Sequence, residues 1–158
     1  MEIIENLEQI IALKKVGEIS FIRSSFYDQR FASSDKKIAI AGFVRLVLAL
    51  KKEKPSNFTI LKNDTSLLVT FDFNEKCLVN LAFSSWQEVT TPVLKIEIVG
   101  ENGMIQYDTQ ADNAYAGTPY VSSVSFDAAK PLTAELEEYI ASFVEKVDEA
   151  KEMEVIIG

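Results

Sequence analysis

Apolar positions change their spacing along this chain, and each change marks an element. Ile3, Ile4, Leu7, Ile10 and Ile11 share one helical face, with Glu2, Glu5, Glu8 and Gln9 elsewhere. Lys14 and Lys15 suit the negative end of a helix dipole, and Gly17 supplies the left-handed stop. The pattern predicts a first helix of roughly three to four turns. Glu18 to Phe26 carries Ile19, Phe21, Ile22 and Phe26 and predicts a strand with both faces partly covered. Tyr27 to Lys37 is polar and reads as a loop. Ile38 to Leu50 is apolar almost throughout and too long for an ordinary strand. With Lys51-Lys52 at its end, it predicts a buried helix.

Pro55 and Asn57 punctuate the chain there. Strand-like runs follow at Phe58 to Lys62, Ser66 to Phe73, Cys77 to Trp86 and Val93 to Val99. Asn63-Asp64 and Asn74-Glu75-Lys76 are turn sequences between them. Glu101-Asn102-Gly103 closes a further hairpin into Met104 to Tyr107, and Tyr120 to Phe126 is one more strand candidate. Leu132, Leu136, Tyr139, Ile140, Phe143 and Val147 then return to helical spacing, with Pro131 near the first turn. Strands in a hairpin-joined run, bounded by helices, imply an α+β fold. The expected architecture is an open, mainly antiparallel sheet with helices packed on one face.

Composition narrows the class. A chain of 158 residues is expected to form a single domain over 1–158. At that size roughly 70% of the unfolded surface is buried, enough for a full core. The net charge of -8 disfavours phosphate backbones and anionic membranes, so neither nucleic acid nor membrane is an expected partner. The acidic, amphipathic start is unlike a signal peptide, and no apolar run approaches the about 18 residues of a membrane span. A cytoplasmic protein is the expectation. Cys77 is the single cysteine, so no disulfide forms within the chain, and its strand setting reads as an inert core thiol.

The chemistry that the chain lacks is as informative. With no histidine and one cysteine, Ser-His-Asp and Cys-His catalysis and ordinary zinc sites are excluded. None of the six glycines is spaced as a dinucleotide-binding turn requires. Asp108 and Asp112 flank a polar loop and read as turn residues rather than cation ligands. The acidic side chains of the last helix read as a solvated face. No catalytic, cofactor-binding or metal residue is therefore assigned.

Three stretches carry a resemblance. VGEISFIR (Val16 to Arg23), LLVTFDFNEKCLVNLAFSSW (Leu67 to Trp86) and KIEIVGENGMIQYD (Lys95 to Asp108) occur in this order before a closing helix. Together they resemble the C-terminal domain of the Gfo/Idh/MocA family of NAD(P)-dependent oxidoreductases. The third stretch resembles the family's I-x-G-x-x-G-x-I-x-x-D signature and is the most specific. The resemblance implies a domain whose uncovered sheet face serves assembly, with NAD(P) held by a separate Rossmann domain that this chain has no room for. It also implies an acid/base histidine and a substrate-binding aspartate at the start of the second helix. This chain has DKKIAIAGFVRLVLAL there, so Gly42 falls at the histidine position and Arg45 near the aspartate position. Phe43, the nearest analogue of the tyrosine some relatives use, cannot transfer a proton. Glu53-Lys54-Pro55 spells the family's lysine motif in the wrong place and reads as coincidence.

The expected function is thus the oligomerisation and substrate-side domain of such an oxidoreductase, cut from it or encoded alone and inactive by itself. A homodimer through the sheet face is the expected assembly, with a Rossmann-domain protein as a possible partner. The alternative is a non-catalytic module binding a small ligand on the open face. Arg23, Tyr27, Arg30, Arg45 and Trp86 are its candidate ligand-binding residues, with Arg23 and Arg30 suited to a carboxylate or phosphate.

Overall fold

The computed structural model of the protein describes residues 16–31, 36–88, 91–109, 132–150 and 155–158. The first helix, the strand expected over Tyr120 to Phe126, and Asp112 lie outside the described residues.

The elements run β1 (Ile19–Asp28), α1 (Lys36–Lys51), β2 (Asn57–Lys62), β3 (Ser66–Phe73), β4 (Cys77–Ser85), β5 (Val93–Gly100), β6 (Gly103–Asp108), α2 (Ala134–Glu149) and β7 (Val155–Ile157). The strands form one sheet in the order β6-β5-β1-β4-β3-β2-β7. Every neighbouring pair is antiparallel except β1 and β4, which run parallel. The fold is α+β with a mixed, mainly antiparallel sheet, as the alternation of strand-like runs implied.

Residue alternation decides the two faces of the sheet. Ile22, Phe26, Val79, Leu81, Phe83, Val69, Phe71, Ile96 and Ile98 are buried on one face. Both helices cover that face. Phe43 of α1 packs against Phe26 and Phe83 at 5.5 and 5.2 Å between ring centres. Phe143 of α2 packs against Phe71 and Phe58 at 5.0 and 5.2 Å. Tilted and edge-on pairs of this kind suit the ring quadrupoles and add to the area buried. Among the described residues Ser24 is the one buried polar residue in this core, and its hydroxyl has no hydrogen-bond partner there.

Local signals explain where the elements stop. α1 stops before Lys52, whose positive φ of 59° turns the chain while its N–H donates to Leu48 O at 2.7 Å. α2 begins at Thr133, whose Oγ1 accepts from Leu136 N. The β3–β4 turn holds Asn74 and Glu75 at φ 53° and 62°, the sense that matches the twist of a hairpin.

The structure departs from the sequence reading in several places. β1 continues through Tyr27 and Asp28, which the polar run had placed in the loop, because β4 and β5 pair with both residues or with Tyr27. Trp86 lies just past the end of β4. β7 had no counterpart in the pattern: three residues are too few to show a period.

Candidate functional site

The glycine-bounded hairpin is a structural clamp. Asn102 N donates to Val16 O at 2.9 Å, and Glu101 N donates to Glu18 O at 3.1 Å. These bonds lay the Val16–Glu18 segment across the β5–β6 turn. A Cβ on Gly100 would collide with the Val16 carbonyl, with Val16 C at 2.8 Å and Glu18 O at 3.2 Å. Gly17 meets the same turn at φ +73°. The spacing VGENG is therefore set by backbone-to-backbone approach.

On α1, the positions where the resemblance expects acid/base chemistry are occupied otherwise. Gly42 is buried, and Phe43 is sunk among Phe26 and Phe83. Arg45 pairs with Glu137 of α2 through both guanidinium nitrogens, with Nη2 donating to Oε2 at 2.8 Å. The Arg45 hydrogen bond is the main reason the Glu137 carboxyl is held below the usual carboxylate range, and Leu132 N adds a further donor. Reciprocally, that bond raises the Arg45 pKa above its usual value. Lys54, from the EKP tripeptide, pairs with Glu135 at 2.7 Å. The Arg45 and Lys54 pairs pin α2 along α1 and the chain that follows it.

Burial pushes the Cys77 thiol up and the Tyr139 phenol far up. Among the described residues, no group of three or more His, Cys, Asp or Glu is arranged to hold a metal ion. No helix among them is long and apolar enough to cross a membrane.

The other face of the sheet is the chemically distinctive surface. Among the described residues, four of the five large apolar side chains that are exposed lie on it or at its end: Leu68, Leu78, Met104 and Trp86, at 38 to 51% exposure. Register organises this face into rows across four strands. Met104, Val99, Phe21 and Leu78 are mutually opposite and form an apolar row. Gln106, Glu97, Arg23 and Asn80 form the next, polar row. Asp108, Lys95, Ser25 and Ala82 form the third, with Lys95 and Asp108 3.8 Å apart.

The five residues singled out from the sequence separate on this framework. Tyr27 and Trp86 meet edge-on at 5.8 Å, where the parallel strands β1 and β4 end together. Trp86 N donates to Asp28 O at 3.2 Å and Gln29 Nε2 donates to Gln87 O at 3.0 Å, which fixes that aromatic ledge. Arg23 lies mid-strand in the polar row. Arg30 sits in the turn beyond Asp28, whose carboxylate accepts its backbone N–H at 2.9 Å. The strand between Arg23 and Asp28 alone spans roughly 16 Å. Arg45 is on the helix layer, engaged by Glu137. The rows themselves were not read from the sequence. Phe21, Leu78, Val99 and Met104 sit at outward positions of their strands, but only register brings them into line.

No family model matches the sequence, and no curated protein matches it. Solved structures do match. One is a protein of Thermotoga maritima described as an oxidoreductase, with a TM-score of 0.67 and 13% identity over 96% of this chain and 58% of that one. A second is a myo-inositol 2-dehydrogenase from Lactobacillus plantarum, with a TM-score of 0.56 and 15% identity over 97% of this chain and 53% of that one. A third is an inositol dehydrogenase homolog from Azotobacter vinelandii, complexed with NADH and myo-inositol. It has a TM-score of 0.55 and 12% identity over 75% of this chain and 38% of that one. The chain spans little more than half the length of the first, and less of the others. At these identities the likeness establishes a shared fold.

Proposed function

We propose that this domain is the assembly and substrate-side half of an oxidoreductase of the Gfo/Idh/MocA type, and that by itself it transfers no hydride. The observation that carries this reading is the sheet with one face covered by two helices and the other left with a row of apolar side chains. Fold likeness to part of several dehydrogenases supports it. So does the chemistry of α1, where buried Gly42, Phe43 and paired Arg45 offer no group to take a proton from an alcohol. In this reading NAD(P) belongs to a separate Rossmann domain, and the sheet face joins copies of the chain.

Two measurements on the purified chain test it. Sedimentation equilibrium at tens of micromolar should give a mass above the monomer, and a monomer would remove the assembly role. Calorimetric titration with NADH and NADPH should show no binding. Micromolar binding would reveal a nucleotide site on this domain and overturn the division of labour.

A second reading has one observation in its favour. The fixed Tyr27–Trp86 ledge is an aromatic surface at the shared end of two parallel strands, with Trp86 42% exposed. A small ligand bound there would quench Trp86 fluorescence, and a Tyr27→Ala, Trp86→Ala variant would lose the binding.

A further inference from the structure

The rows on the face that neither described helix covers specify how a second copy fits. This rests on the reading of that face as an assembly surface. We infer that two copies pack sheet to sheet about a two-fold axis that runs parallel to the strands, midway between β1 and β5.

A closed dimer uses the same patch on both copies, so the patch must be complementary to itself. An axis along the strands keeps each row at its own level and swaps its left and right halves. Placed between β1 and β5, it sets β1 over the partner's β5 and β4 over the partner's β6. The apolar row then meets itself: Phe21 opposes the partner's Val99, and Leu78 opposes the partner's Met104. Leu78 and Met104 are 50 and 51% exposed and gain the most cover. In the polar row, Arg23 opposes the partner's Glu97, and Asn80 opposes the partner's Gln106. Two ion pairs and two amide pairs result. In the third row Lys95 faces the partner's Ser25 and Asp108 faces the partner's Ala82, with no like charges opposed.

Neighbouring placements fail on the same rows. An axis along β1 itself stacks Arg23 on the partner's Arg23. An axis between β1 and β4 sets Val99 against the partner's Asp72 and removes the Arg23–Glu97 contact. Twist rotates packed sheets by about 30°, so the match is needed only near the axis, where these rows lie. The apolar row supplies the affinity, and the charges select the register.

Charge reversal tests this in the full chain by sedimentation, with circular dichroism to confirm folding. Arg23→Glu sets glutamate against glutamate twice, and Glu97→Arg sets arginine against arginine twice. Each single variant should raise the dimer Kd by about tenfold or more. Arg23→Glu with Glu97→Arg in one chain should restore the dimer. Mixing the two single variants should give a heterodimer that neither forms alone. A dimer that Leu78→Asp dissociates but the reversals leave intact, or that the double variant fails to restore, overturns this register and leaves the face as the assembly surface. A wild-type chain that stays monomeric overturns the assembly reading itself.

Discussion

Gly100→Ala is the sharpest probe of the clamp over the β5–β6 turn. Gly100 has no positive φ, so an alanine there meets no backbone strain of its own. What it meets is the Val16 carbonyl, a backbone group with no side-chain freedom to yield. The Val16–Glu18 segment must lift away. Two hydrogen bonds are then lost or stretched, Asn102 N to Val16 O and Glu101 N to Glu18 O, at about 1 kcal/mol each. Val16 is 3% exposed, and giving up about half of its burial costs about 1 kcal/mol more. The expected loss is about 3 kcal/mol, or roughly 6–12 °C in Tm for a domain of this size. Gly17→Ala is the comparison. It strains a left-handed φ at about 1–2 kcal/mol, and its Cβ meets the movable Asn102 amide at 3.0 Å and the Glu101 Cβ at 3.1 Å rather than a backbone carbonyl. Thermal and urea unfolding followed by circular dichroism measure both. If Gly100→Ala unfolds within about 2 °C of the wild type, or later than Gly17→Ala, the segment does not lie across the turn.

Other substitutions give equally definite outcomes. Glu75→Gly relieves a left-handed residue in the β3–β4 turn and should raise stability by about 1 kcal/mol, read as a shift in the urea midpoint. Ser24→Ala removes a buried hydroxyl without a partner and should also stabilise, by about 1 kcal/mol; a destabilised variant would mean the hydroxyl is bonded. Glu137→Gln weakens the tie between α1 and α2. Because Glu137 is 38% exposed, solvent screens the pair and the cost at neutral pH should be no more than about 1 kcal/mol. The folded-state pKa of Glu137 is lowered, so its contribution is complete above the unfolded value of about 4.3 and fades as pH falls through the lower folded value. The stability gap between wild type and Glu137→Gln should therefore close below about pH 4, and a gap that persists into strong acid would contradict the ion pair.

Much of this fold was legible because each strand carries its own period. Ser66–Phe73 alternates buried and outward residues throughout, and its limits follow directly from Asn63-Asp64 and Asn74-Glu75. α1 was legible from length: its apolar residues run almost all round, which no two-sided strand of that span sustains. The parallel pairing of β1 with β4 was not legible, since pairing between distant segments leaves no local mark. Arg45 illustrates the same limit at the level of the site. Its sequence neighbours say only that it lies on a helix, while its partner Glu137 comes from the far end of the chain. The rows of the open face depend on register in the same way, with Arg23 reaching significance only once Glu97 stands beside it.

The central place of β1 has a consequence for how this chain acquires its structure. β2, β3 and β4 are joined by tight turns, as are β5 and β6, and such local pairs form within microseconds. These two units never touch in the sheet order except through β1, which separates β4 from β5. Both of its pairings close long stretches of chain, and the loop entropy must be met before either bond row stabilises anything. Refolding should therefore show hairpin structure early and a slow, cooperative final step in which β1 threads between two preformed halves. Until then each half exposes an unpaired strand edge, and that interval is where the chain is most prone to aggregate.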